Sequence, residues 1–61
     1  MTKVEANRVA KILNREGFYG IFIYQSYETK EYAVKAVTAG GSNRRYEDYA
    51  DFLNDVEMGI L

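Results

Sequence analysis

The stretch FYGIFIYQSY, residues 18–27, puts large apolar side chains on both faces of any strand it forms. In a chain of 61 residues that is a severe constraint. A domain of this size buries only about 60% of the surface its unfolded chain exposes, so its stability is marginal. Small scaffolds compensate with disulfides, a metal, a partner subunit or close packing. The chain has neither cysteine nor histidine, which removes disulfides and the usual ligands of structural zinc. No cofactor, metal or catalytic residue is expected, and packing or association must supply what the chain lacks.

One α+β domain, residues 1–61, is expected in the order α-β-β-α. Residues 2–16 carry Ala6, Val9, Ala10 and Leu13 at helical spacing, with Ile12 on the shoulder. Thr2 and Glu5 suit a capping box. Gly17 suits the left-handed position that ends a helix, with Phe18 folding back on Leu13. Residues 19–26 and 32–39 are β-branched and aromatic, and the five residues between them suit an antiparallel hairpin with a loop built around a type I turn. Ile21 and Ile23 then oppose Phe22 and Tyr24. After Gly40-Gly41, residues 43–58 read as a second helix with Ser42 or Asn43 as N-cap. Its apolar positions are Tyr46, Tyr49, Ala50, Leu53 and Val56, with Phe52 alongside, and Gly59 ends it.

Two helices on one face of a hairpin leave the other face and both edges bare. Each large side chain left exposed forfeits roughly 1.5–3 kcal/mol. The cover is a helix on each face, a second copy or a different protein. A homodimer that extends or covers the sheet is the favoured expectation, since C2 dimers are the commonest oligomers.

Nothing in the sequence assembles a catalytic group. Ser26 and Ser42 have no histidine beside them, and Gly40-Gly41-Ser42-Asn43 lacks the lysine of a phosphate-binding loop. No run of 18 apolar residues offers a membrane span, and a cytoplasmic location is expected. The composition instead points to binding. Six tyrosines in so short a chain favour an interface, because tyrosine gives large contact area at low entropic cost. Tyr24, Tyr27 and Tyr32 gather around the hairpin. Glu47, Asp48, Asp51 and Asp55 fall on one side of the expected second helix, and Asp51 and Asp55 stand in the half where the helix dipole disfavours them. On that reading, changing both to lysine leaves stability level or slightly raised.

These seven residues are the expected partner-binding set. They suit a non-enzymatic protein-interaction module, a small inhibitor or adaptor of viral or mobile-element type that occupies a basic surface of a protein partner. The rival reading is a nucleic-acid-binding module using Arg8, Lys11, Arg15, Lys30, Lys35, Arg44 and Arg45. The net charge of −1 gives it no bulk attraction to phosphate. A third reading is a structural subunit of a larger assembly.

Overall fold

A computed structural model describes residues 1–61. The element order is α1 (Lys3–Arg15), β1 (Tyr19–Gln25), β2 (Tyr32–Val37), β3 (Asn43–Tyr46) and α2 (Tyr49–Glu57). The chain is α+β as expected, with a third strand inserted before the last helix. The strands form one antiparallel sheet in the order β1-β2-β3. No helix is long and apolar enough to cross a membrane.

Helix α1 follows its sequence signals closely. The Thr2 hydroxyl accepts the Glu5 N–H at 3.1 Å, and Glu5 Oε1 accepts the Thr2 N–H at 2.8 Å. At the other end Gly17 has φ +89°. The Phe18 N–H reaches back to the Leu13 carbonyl at 3.0 Å, which completes a Schellman ending. Ala6, Val9 and Leu13 are fully buried.

The hairpin loop of residues 26–31 closes with Ser26 N–H to the Glu31 carbonyl at 2.8 Å and Lys30 N–H to the Ser26 carbonyl at 3.0 Å. Lys30 sits at φ +64°. A side chain there carries a steric cost that glycine would not, so the loop is held by its hydrogen bonds rather than by turn residues.

The second helix is much shorter than its spacing implies. Residues 43–46 pair with β2, Tyr46 opposite Val34 and Asn43 opposite Val37. The turn between them is closed by Thr38 N–H to the Ser42 carbonyl at 2.8 Å, with Gly41 at φ +91°. The helix cap is therefore neither Ser42 nor Asn43. Asp48 caps α2, accepting the Ala50 N–H at 3.1 Å. Pairing residues 43–46 satisfies the free edge of β2 and drops Tyr46 into the core, edge-on to Phe52 with ring centroids 5.3 Å apart. A helix over the same residues would do neither.

Both helices cover one face of the sheet. Phe52, Leu13, Val9 and Val34 are its largest fully buried side chains, and Ile21 and Ile23 pack against them. Phe52, not Leu53 or Val56, is the α2 residue in this core, and those two stay half exposed. The arrangement with one helix on each face does not occur. The opposite face is open.

Candidate functional site

The sheet presents two depressions, one at each end, and their linings have opposite charge. The larger wraps the end where β1 leaves the sheet and β2 enters it, and has a volume of about 740 Å³. Tyr24, Tyr32, Tyr49, Leu53 and Met1 give it apolar walls, and Glu5, Glu31, Glu47 and Asp48 supply carboxylates. No lysine or arginine lines it.

Residue 1 holds this end together. Its amine donates to the carbonyls of Tyr32 (3.0 Å) and Glu47 (3.1 Å) and lies 3.4 Å from Glu31 Oε2. The Tyr32 N–H donates to the Met1 carbonyl at 2.8 Å. These bonds tie the start of β2 to the link between β3 and α2. They bring carboxylates from three separate places in the chain to one rim.

Each carboxylate keeps accepting capacity. Asp48 spends one oxygen on the cap, Glu5 one on the capping box, and Glu47 pairs with Arg45 at 3.4 Å in a largely exposed contact. Exposed pairs of that kind contribute about 0–1 kcal/mol and exchange readily. Leu53 is about half exposed beside them. It leaves the core to form part of the groove wall.

Of the seven residues expected to bind a partner, the structure brings Tyr24, Tyr32, Glu47 and Asp48 together here. Tyr27 stands apart on the hairpin loop, 92% exposed, with Lys30 Nζ 5.1 Å from its ring centre. Asp51 and Asp55 lie outside the groove. The acidic stripe is shorter than expected: α2 begins only at Tyr49, so Glu47 precedes the helix, Asp48 caps it, and Asp51 and Asp55 are its i, i+4 pair. Asp51 falls in its first turn, where the dipole favours a carboxylate. Asp55 has a structural bond, accepting the Tyr46 hydroxyl at 2.8 Å. Burial and that carboxylate push the Tyr46 phenol up to about 12.

Glu5, Glu31, Tyr49 and Leu53 were not among the expected residues. They come from helix, loop and helix again, and only the fold makes them neighbours.

Of the rival basic set, Lys35, Arg44 and Arg45 meet at the opposite end of the sheet. Arg8 is separate, donating from Nη1 to the Tyr49 hydroxyl at 3.2 Å. Lys11 and Arg15 remain on α1. No protein-family model matches the chain, and no curated protein or solved structure matches it.

Proposed function

We propose that the chain is a non-enzymatic protein-interaction module whose groove at the β1–β2 hairpin end takes a basic segment of a partner protein. One observation carries this reading: four carboxylates and three tyrosines line one groove that no lysine or arginine enters. Tyrosine rings and Leu53 offer contact area to the stems of arginine or lysine, and the carboxylates meet their charged ends. A module of this kind acts as a cytoplasmic inhibitor or adaptor, of the sort viruses and mobile elements encode, by occupying a basic surface. Two copies would pair along the free outer edge of β1, which leaves the groove accessible.

The test is affinity capture from extracts of the native host, with the wild type and with Glu47→Lys and Leu53→Ser as bait. The wild type should retain a protein with a basic surface. Each variant should weaken its binding by about tenfold, equivalent to ~1.4 kcal/mol. Phe22→Ser, at a site outside the groove, should bind as the wild type does. If all the baits retain the same partner equally, the groove is not the site.

A further inference from the structure

The open face of the sheet is organised by a bulge. Tyr19 pairs with Val37 and Phe22 with Lys35, so Gly20 and Ile21 together oppose one residue of β2. Gly20 adopts φ +60° to allow this. Without the bulge, strand alternation would turn Tyr19 toward the helices with Ile21 and Ile23. With it, Tyr19, Phe22 and Tyr24 share the open face, and Tyr19 and Phe22 are 55% and 56% exposed. The bulge thus leaves Tyr19 and Phe22 largely in solvent, with Tyr24 partly buried beside them.

Cations flank these rings. Phe22, Lys35 and Arg45 form one row across the three strands. The Phe22 and Tyr24 rings lie 6.4 Å apart and within 20° of parallel, and Lys35 Nζ is 5.9 Å from the centre of each. Beside them is the second depression, of about 520 Å³, lined by Lys35, Arg45 and Asn43 and entered by no carboxylate; Arg44, opposite the buried Ala36, belongs to the other face. Arg45 is the only one of these cations with an acidic partner, the exposed contact to Glu47.

We propose that this face binds single-stranded nucleic acid. Exposed rings on a flat sheet stack on bases, and only unpaired bases offer their faces. Lysine and arginine beside the rings meet the phosphates. An acidic protein segment would satisfy the cations but would leave three aromatic rings without flat partners. A second copy stacked face to face would set Lys35 and Arg45 against their own equivalents. The charge of this end is opposite to that of the hairpin-end groove, so the two sites do not compete for one ligand.

The test is fluorescence anisotropy with a labelled mixed-sequence single-stranded oligonucleotide, the duplex of the same sequence, and a labelled polyglutamate peptide. The single strand should bind saturably at low salt and the duplex much more weakly. With two cations engaged, log affinity should fall against log salt with a slope of about −1.4, and Arg45→Ala should reduce that slope by about 0.7. Phe22→Ala should weaken binding by at least about fivefold. Both residues are exposed, so both variants should melt with the wild type. No saturable binding of the single strand overturns the proposal. So does duplex binding of equal strength, or binding that Phe22→Ala leaves unchanged. Polyglutamate binding as tightly as the oligonucleotide would make the face a site for acidic protein segments instead.

Discussion

Phe52→Ala is expected to remove the larger part of the protein's stability. Phe52 is the largest fully buried side chain and the only α2 residue with none of its surface exposed. It stacks on Tyr49 with ring centres 6.2 Å apart and receives Tyr46 edge-on. Removing a buried phenylalanine costs about 3–5 kcal/mol, from lost burial and from the cavity left behind. A chain of 61 residues has roughly 3–9 kcal/mol in total. The loss should be read as a collapse of the urea midpoint or as absence of a cooperative melt. Leu53→Ala, one residue along, should cost about 1 kcal/mol or less because Leu53 is half exposed. Equal losses at the two positions would mean that α2 is rotated from the orientation described.

Asp55→Lys is expected to destabilise the fold by about 2 kcal/mol, since the hydrogen bond from the buried Tyr46 hydroxyl goes to a charged acceptor. This reverses the expectation drawn from the sequence, in which both Asp51 and Asp55 were free to change. Asp51→Lys should lose only a few tenths of a kcal/mol from its place in the first turn. The same bond has a signature in alkali. Tyr46 ionises at 10.0 when unperturbed and at about 12 in the fold. A raised pKa means that the stabilisation is complete below pH 10 and disappears as pH rises to about 12, because the unfolded chain gives up the proton first. Melting temperatures of the wild type should therefore fall more steeply over that window than those of Tyr46→Phe. Parallel curves would show that the phenol is not held in the fold as described.

The parts of the fold that were legible in the sequence are those set by neighbours in the chain. Thr2 with Glu5 and Gly17 with Phe18 fix the ends of α1 through bonds spanning three to five residues. The alternation of Ile21 and Ile23 against Phe22 and Tyr24 identifies the two sheet faces. Strand β3 was not legible. Asn43-Arg44-Arg45-Tyr46 has one apolar residue and no alternation, while Tyr46, Tyr49, Leu53 and Val56 happen to repeat at helical spacing. The available signals were Thr38 to Ser42, with two glycines suited to a hairpin turn, and Asp48 placed to cap a helix starting after it. The groove was half legible. Tyr24, Tyr32 and two of its carboxylates stood out by type, but Glu5, Glu31, Tyr49 and Leu53 join them only in the fold, where residue 1 bridges β2 and the β3–α2 link. That contact spans most of the chain and leaves no local trace.

The two ends of one sheet should have opposite preferences, and amide chemical-shift mapping on the isotope-labelled protein reads both at once. Titration with an arginine-rich peptide should move the amides of Glu5, Glu31, Glu47, Asp48 and Leu53, with Tyr24, which borders both sites, left out of the comparison. Titration with a single-stranded oligonucleotide should move those of Gly20, Phe22, Lys35, Val37, Asn43 and Arg45. Perturbation of the same residues by both ligands, or shifts confined to Arg8, Lys11 and Arg15 on α1, would contradict the account.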